Sequence, residues 1–216
     1  MAAKVIRRER STKKNTETTT IQSLENMKIQ LSILTPTIPG RESQLQKLTE
    51  KIQAQIGDLP VEHLSLCDNR KRSIGAKRQS LVDIAQGKYI AFCDDDDDVS
   101  DDYVYEILKA VCVDADVITF EQDSFYNEHY SKVIFGLNNP DQVYAPNGIT
   151  LRAPWHVCAW KKSAVKTCQF GERNNGEDII WSRQARRRVT TAFHIAKVLH
   201  IYRHDARLTA APESGF

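Results

Sequence analysis

The sequence predicts a single α/β domain in which helices flank a mainly parallel sheet. Between residues 28 and 121, apolar strand-like runs alternate with segments of helical periodicity. Such alternation is typical of βαβ crossovers, which join parallel strands. The chain has 216 residues, of which 41% are hydrophobic and 27% charged, so it is long and apolar enough to bury one large core.

The individual elements follow from the spacing of the apolar residues. Strands are predicted at 28–37 (with Pro36 as the stop), 61–68, 88–93 and 115–120. Helices are predicted between them, at 45–56 and 74–85, and a third helix is predicted to begin at Ser100 as its N-cap. The rhythm then breaks, so 122–160 is predicted to be a region of binding loops, followed by a helix from about Glu177 and a last strand in 198–204.

The two ends of the chain differ from this pattern. Residues 1–26 are polar, Thr-rich and basic, and are predicted to be a flexible leader, with a nucleic-acid-binding arm as the alternative. Residues 210–216 are predicted to be a flexible tail. We find no apolar run long enough to span a bilayer and no signal peptide, and the five cysteines form no CxxC pair. A soluble cytoplasmic protein with reduced thiols is expected.

One stretch, GKYIAFCDDDDDVSDDYV at 87–104, places five consecutive aspartates, Asp94 to Asp98, directly after a predicted strand. Neighbouring carboxylates repel one another by about 1–4 kcal/mol per pair at the protein surface. A divalent cation would offset that repulsion, and a solvated acidic loop is the alternative. Pro36, Thr37 and Asp68 also follow strands, and in parallel sheets ligands bind beyond the carboxyl ends of the strands. These residues are therefore predicted to share one site.

Four motifs, in order and spacing, resemble glycosyltransferase family 2 with its GT-A (Rossmann-like) fold. They are LSILTPTIPGR, GAKRQSLVDIAQGKYIAFCDDDDDVSDDYV, NNGEDIIW and YRHDARLT, and the resemblance covers about residues 28–209. It implies a nucleotide-sugar-binding half at 27–121 and a half that holds the acceptor and the catalytic base at 122–209. In its compactness the chain also resembles soluble virus-encoded relatives.

The resemblance implies a bound Mn²⁺ or Mg²⁺, which neutralises a diphosphate leaving group. The family's Asp-x-Asp element maps onto Asp94, facing the ribose and the metal, and Asp96, facing the metal, with Asp95 between them. His204 resembles a late histidine that reaches back to the metal or the diphosphate. His200 is the competing candidate, and a structural role is the alternative for either histidine.

On the nucleotide side, the resemblance implies that Asp68 holds a uracil base. It also places Pro36, Thr37 and Arg41 in the loop that lines the nucleotide pocket. Lys77 and Arg78 are expected to contact the nucleotide, or Arg78 to orient the Asp run through a charge-assisted fork. Ordinary turn chemistry and a solvated basic surface are the alternatives for these residues.

On the acceptor side, the resemblance implies that Asp178 is the general base and that Glu177 holds an acceptor hydroxyl or the fold. Acids in the first turn of a helix also stabilise it, which is the structural alternative. His156 and Trp155 are expected to face the acceptor. Trp181 is expected either to line the site or to lie in the core.

These implications together predict an inverting, metal-dependent transferase that uses a nucleotide sugar, most simply a UDP-sugar. The predicted acceptor is either a saccharide or a hydroxymethylated DNA base, as in bacteriophage DNA modification. The basic leader and the Arg183–Arg188 run favour a polyanion, although basic residues at a helix end also suit the helix dipole. A nucleotide- and cation-binding module without catalysis is the alternative, which has no need of the Glu177–Asp178 pair.

Overall fold

The structure of the protein is a computed structural model that describes residues 28–127, 129–144 and 147–204. The predicted leader and tail lie outside the described residues. The strands are β1 (Leu31–Thr37), β2 (Val61–Cys67), β3 (Tyr89–Phe92), β4 (Asp98–Val99), β5 (Val117–Tyr126), β6 (His129–Phe135), β7 (Gln142–Tyr144), β8 (Ile149–Arg152), β9 (Ala159–Lys161) and β10 (Ala192–His204). The helices are α1 (Glu42–Ile56), α2 (Ile74–Ile84), α3 (Tyr103–Val111), α4 (Lys162–Val165) and α5 (Glu177–Arg186).

All ten strands of the described chain belong to one sheet, in the order β2-β1-β3-β9-β5-β6-β8-β7, with β10 paired to β5 and β4. Strands β1, β2 and β3 are parallel neighbours, as predicted. Strand β9 lies antiparallel between β3 and β5, so β5 still runs in the direction of β3. The α/β class and the single domain are confirmed, and the sheet is parallel in its first half and mixed beyond it.

The core lies around β1 and β3, whose residues are all buried. Helix α1 packs against α3, and α2 packs against β1 and α5. Leu48, Ile52 and Ile56 of α1 are buried as their spacing predicted. In α2 the buried side chains include Lys77 and Arg78, while Ile84 is exposed, so the helix buries charge where an apolar face was expected.

Pro36 does not stop β1, which continues to Thr37 with Pro36 in register with Leu66 of β2. On its other side, β1 pairs with β3 only from Leu31 to Leu34. Pro36 therefore lies where β1 has a single neighbour, and such an edge position tolerates the missing backbone N–H.

Ser100 is not the N-cap of α3, because the helix begins at Tyr103 after Asp102. The Ser100 hydroxyl instead donates to Asp102 Oδ1 over 2.8 Å. Just before it, Asp98 and Val99 form β4, which pairs with β10. The end of the Asp run is thus held by the sheet.

The prediction of binding loops at 122–160 is wrong, since β5 continues to Tyr126 and β6 to β9 follow. These strands are mostly antiparallel. Antiparallel strands often bury one face only, so polar and apolar residues alternate and no continuous apolar run marks them.

Within the described ranges, no helix is both long and apolar enough to cross a membrane. All five cysteines are free; Cys93, Cys158 and Cys168 are buried, and Cys67 and Cys112 are exposed.

Candidate functional site

The carboxyl ends of β1, β2 and β3 bring the predicted residues together at one edge of the sheet. Thr37 ends β1, Asp68 follows β2, and the Asp run follows β3. The Thr37 hydroxyl donates to Asp95 Oδ2 over 2.5 Å. The Lys77 ammonium donates to the Thr37 carbonyl over 2.9 Å and pairs with Asp68 at 3.3 Å. The predicted convergence is therefore present as direct contacts.

The aspartates of the run have separate partners. Asp95 is buried and accepts from Arg41 Nη1 at 2.7 Å, and the same nitrogen lies 3.0 Å from the exposed Asp96. Asp98 pairs with Lys51 at 3.0 Å. Asp94 pairs with Arg78, and Asp97 faces His200. These specific partners show that the run is an ordered part of the site and not a solvated loop.

Charge crowding within the run changes its titration. Loss of hydration within the crowded run, followed by the Asp94 charge, raises the pKa of Asp96 even though its side chain is 44% exposed. Burial, followed by the Asp94 charge, raises the pKa of Asp97 well above its usual range. Burial also opposes ionisation of Asp94, but the Arg78 guanidinium outweighs it and lowers the pKa of Asp94. The run therefore contains one strongly held carboxylate beside two that a cation would stabilise.

Arg78 connects the Asp run to the second acidic motif. Its guanidinium is buried, donates from Nη2 to Asp94 over 2.8 Å and from Nε to Glu177 over 3.3 Å, and lies 5.1 Å from the centre of the Phe92 ring. The fork that the sequence suggested for Arg78 is thus present, and it spans two acids. Helix α2 that carries Arg78 starts at an N-cap, Ser73, whose hydroxyl accepts from the Ala76 N–H.

Asp68 is held within its own turn. Its carboxylate accepts from the backbone N–H groups of Arg70 (3.2 Å) and Arg72 (3.0 Å) and pairs with Lys77. Burial opposes these contacts, but they lower the pKa of Asp68. The turn chemistry that the sequence left open is therefore present, and the contact with a uracil base stays a prediction.

A cavity of about 690 Å³ opens beside the Asp run, between β5, β6, β8 and the start of α5. The charged, histidine and tryptophan side chains that line it include Asp94, Arg152, Trp155, His156, Asp178 and His200. One side of this cavity is acidic, and four tyrosines from the antiparallel strands and their surroundings form other parts of its wall: Tyr126, Tyr130, Tyr144 and Tyr202.

The two acids at the start of α5 point to different places. Glu177 is 5% exposed and contacts Arg78, and burial raises its pKa. Asp178 lines the cavity, where Oδ1 accepts from the Ile179 N–H over 2.8 Å and Oδ2 lies 3.8 Å from His156 Nδ1. Burial, then the Arg78 charge, lowers the pKa of His156 well below its usual range, so His156 is neutral. Asp178 is thus the acid that a bound molecule can reach.

The remaining predicted aromatic and histidine residues separate into two groups. Trp155 and His156 line the cavity, as expected for the acceptor side. Trp181 lies in the core, parallel to Phe170 with ring centres 4.9 Å apart, and does not line the cavity. The core alternative for Trp181 is the one observed.

Of the two candidate histidines, His200 lies against the Asp run. Its Nε2 is 3.4 Å from Asp97 Oδ2, whereas His204 stacks on Tyr126 with ring centres 4.4 Å apart and does not line the cavity. The pairing of β10 with β4 puts His200 beside the run, and the contact of His204 with a metal or diphosphate stays a prediction.

Sequence reasoning missed the cavity residues of the antiparallel strands, including Arg152 and the tyrosines. One signal was present in the segment FYNEHY. Tyr126 and His129 pair across a hairpin, and Asn127 between them has a left-handed φ of 52°. Asn flanked by aromatic residues is typical of such a tight connection.

The carboxylates of the Asp run are the groups of this site that could ligate a divalent cation. No three His, Cys, Asp or Glu side chains of the described ranges are grouped so as to hold a metal by themselves. Asp94 Oδ1 is nevertheless buried without a hydrogen-bond partner, and the Asp96 side chain is 44% exposed at the edge of the run. Mg²⁺ is commonly bound by one or two carboxylates and completed by phosphate oxygens and water. Asp94 and Asp96 fit that kind of site.

Comparisons with known proteins agree with this geometry. Residues 42–158, more than half of the chain, match the model of glycosyl transferase family 2. A search of curated proteins finds no match. Among solved structures, Staphylococcus aureus TarS 1–349 is similar with 14% identity and a TM-score of 0.60, covering 80% of this chain and 60% of that one. Its complex with UDP-GlcNAc gives 14% identity and a TM-score of 0.62, covering 85% of this chain and 62% of that one. The chain thus spans about three fifths of these relatives, and the likeness confirms the predicted GT-A fold.

Proposed function

Because the chain belongs to glycosyl transferase family 2, we propose that it transfers a sugar from a UDP-sugar to an acceptor hydroxyl with inversion at the anomeric carbon. Family membership supports a nucleotide-sugar-dependent glycosyltransferase. That activity, the donor, the stereochemistry and the acceptor together are the proposal. The observation that carries it is that Asp94 and Asp178 line the same cavity, while Arg78 ties Asp94 to Glu177.

In the proposed reaction Asp178 is the general base. Its carboxylate accepts the proton of the acceptor hydroxyl, and the hydroxyl oxygen forms a bond to the anomeric carbon. The bond from that carbon to the diphosphate oxygen breaks, and UDP leaves with the electron pair. A positioned base of this kind is worth about 10²–10⁴ in rate. His156, which is neutral and 3.8 Å from Asp178, can help to orient the carboxylate.

The donor is proposed to bind at the edge formed by Thr37, Arg41, Asp68 and Lys77, with its diphosphate towards Asp94. Similar TarS structures contain UDP-GlcNAc and UDP, which supports a uridine nucleotide as the donor carrier. Two cations lie near the Asp run, Arg41 and Lys77, and both are paired there, Arg41 with Asp95 and Asp96 and Lys77 with Asp68. Asp95 helps to hold Arg41 in this position over 2.7 Å.

Asp94 and Asp96 are proposed to hold Mn²⁺ or Mg²⁺. When bound, the cation would neutralise part of the negative charge that develops on the departing diphosphate. Asp95 has both oxygens occupied, by Thr37 and Arg41. Asp94 pairs with Arg78 through Oδ2 and keeps Oδ1 without a partner, and the exposed Asp96 contacts Arg41 through Oδ2.

The acceptor is proposed to enter the cavity beside Asp178. It is either a saccharide or a hydroxymethylated DNA base. Tyrosine and tryptophan rings on the cavity wall can stack on either. The Arg183–Arg188 run gives limited support to DNA, because Arg183 and Arg186 are already paired with Asp141 at 2.9 and 3.1 Å.

The test is the release of UDP from a panel of UDP-sugars, with and without Mn²⁺, with hydroxymethylated DNA and neutral saccharides as acceptors. We expect metal-dependent release that Asp178→Asn abolishes and that Asp58→Asn, an exposed acid near the start of β2, leaves intact. Metal-dependent binding of UDP without release from any donor would instead indicate the non-catalytic binding module.

A further inference from the structure

Arg152, the last residue of β8, has no partner for its charge. Its guanidinium lies over the Trp155 ring, 3.5 Å from the ring centre, and lines the cavity that contains Asp178. The buried Nε has no hydrogen-bond partner, and no described residue forms an ion pair with this guanidinium. Arg152 as a whole is half-buried. A cation that is partly removed from water without an ionic partner loses hydration that nothing replaces, so such a group usually has a partner.

Two arginines close to Arg152 are paired with an acid, unlike Arg152 itself. Arg183 and Arg186 of α5 both bind Asp141, and Asp141 lines a smaller groove of about 180 Å³ together with Arg152. Both Asp141 oxygens face α5, Oδ2 accepting from Arg183 and Oδ1 from Arg186. The adjacent acid is therefore occupied, and Arg152 is left for a ligand.

The cavity wall supports a specific kind of ligand. Arg152 is the only Lys or Arg among the described residues that line the cavity, and its guanidinium fork packs against the Trp155 ring, which restricts its movement. A fork of this kind matches the paired oxygens of a phosphate or carboxylate. The cavity is also lined by acids, including Asp94 and Asp178, which do not bind anions. Among the described residues of the cavity wall, Arg152 is therefore the charged group that can bind an anion.

We propose that Arg152 is a specificity-determining residue that binds an anionic group, a phosphate or a carboxylate, carried by the acceptor. This inference rests on the proposed function, since it assigns the cavity beside Asp178 to the acceptor. In this proposal the Trp155 ring packs against one face of the guanidinium, and the cavity tyrosines contact the uncharged part of the acceptor. Acceptors with an anionic substituent are then preferred over neutral analogues.

Burial lowers the pKa of Arg152, and the largest opposing influence is the Asp178 charge. Arg152 therefore also lies within electrostatic range of the proposed base. If Arg152 acted only through Asp178, its removal would slow transfer to neutral and anionic acceptors by the same factor. The ratio between matched acceptors distinguishes the two roles.

The experiment compares glucose, glucose 6-phosphate and glucuronate, first as ligands of the full chain by calorimetry without donor, and then as acceptors with the active UDP-sugar. The variants are Arg152→Gln, Arg152→Lys and the control Lys166→Gln, which removes one exposed positive charge after α4. We expect the wild-type protein and the control to bind at least one anionic probe about tenfold or more tightly than glucose, as a charged hydrogen-bonded pair predicts. Arg152→Gln removes that preference, and Arg152→Lys retains part of it.

Equal binding of glucose and both anionic probes by the wild-type protein would overturn the inference, whatever the variants do. It would leave the proposed function intact if UDP release is still observed. An equal loss of transfer to all three acceptors in Arg152→Gln, with their ratio unchanged, would also overturn it in favour of a role through Asp178. A loss of UDP affinity without a change in acceptor preference would place Arg152 on the donor side. Phosphate and carboxylate arms identify which anion the site accepts.

Discussion

Arg78 Nη2 donates to Asp94 Oδ2 over 2.8 Å, and the same guanidinium reaches Glu177 at the start of α5. Asp94 directly follows β3, whereas Glu177 lies 83 residues later in the sequence (177 − 94 = 83). A single buried cation therefore fixes the proposed donor side relative to the proposed base. Catalysis depends on such relative placement, because small displacements of reacting groups are costly in rate.

Removing the Arg78 charge should destabilise the fold. Arg78→Met leaves the buried Glu177 and the partly buried Asp94 without their cation, and breaking a buried pair in this way costs about 3–5 kcal/mol. Urea unfolding at neutral pH measures the loss in the free energy of unfolding. Arg78→Lys, which retains a charge but cannot form the fork, should lie between Arg78→Met and wild type.

The matched control is Arg72→Met, since Arg72 is 43% exposed and lies 3.6 Å from Asp68. A surface pair of this kind is worth less than about 1 kcal/mol. Equal losses for the Arg72 and Arg78 variants would contradict the junction described for Arg78.

Asp178 and Glu177 should separate in their effects. Asp178→Asn is expected to lower kcat by about 10²–10⁴ without lowering the free energy of unfolding, because this carboxylate lines the cavity. Glu177→Gln is expected to act mainly on stability, because this carboxylate is buried against Arg78. Steady-state rates and urea unfolding of both variants decide it, and a larger kcat loss for Glu177→Gln with an intact fold would reverse the two roles.

Gly75 should be far less tolerant of a side chain than Gly171. A Cβ at Gly75 would lie 1.8 Å from the Gly171 carbonyl oxygen, while a Cβ at Gly171 meets its nearest atom, in Arg173, at 3.5 Å. Gly75→Ala must therefore push α2 away from the segment that leads to α5. Overpacking of this size typically costs about 1–3 kcal/mol.

Thermal unfolding of Gly75→Ala and Gly171→Ala provides the comparison, and the activity of the folded fraction shows whether the Arg78 junction has moved. Equal melting temperatures for the two variants would show that α2 can shift without cost.

The parallel half of the fold could be predicted because its chemistry is local. Strands β1 and β3 are buried on both faces, so their residues form largely apolar runs, and the acids of the Asp run mark the carboxyl end of β3. The antiparallel half was hidden, because β5 beyond Glu121 (QDSFY) and the first half of β6 (HYSK) are mostly polar and contain no apolar run that marks a strand. Arg152 could not be identified for the same reason, since its importance arises from the cavity that these strands enclose.

The candidate site shows the same division. Asp94, Asp178 and His156, which the sequence singled out, line one cavity, and their roles there stay predictions. The choice between His200 and His204 depended on the register of β10 against β4, which no local pattern encodes.

Metal dependence should reside in specific members of the Asp run. Asp96→Asn is expected to weaken the Mn²⁺-dependent part of UDP binding by tenfold or more, on the order of a lost charge-assisted contact. Asp98→Asn serves as the matched control within the same run, because Asp98 pairs with Lys51 and is held in β4 against β10. Calorimetric titration of UDP with Mn²⁺, and with EDTA in its place, measures both. Equal effects of the two substitutions would show that the run attracts the cation only through its total charge.

Stability should rise with pH between about 4 and 6.5 because of His63. Burial lowers the pKa of His63 from 6.5 to about 4, while its ring contacts the Thr35 hydroxyl at 2.9 Å. In this window the unfolded chain binds a proton that the folded protein does not, so the stability present above pH 6.5 is lost as the pH falls towards 4. His200, whose pKa burial also lowers to about 4, contributes in the same direction.

His63→Gln should therefore reduce, but not abolish, the slope of the unfolding free energy against pH, by at most about 1.4 kcal/mol per pH unit. Urea unfolding of wild type and variant from pH 4 to 8 tests this, and an unchanged slope in His63→Gln would show that His63 titrates equally in both states.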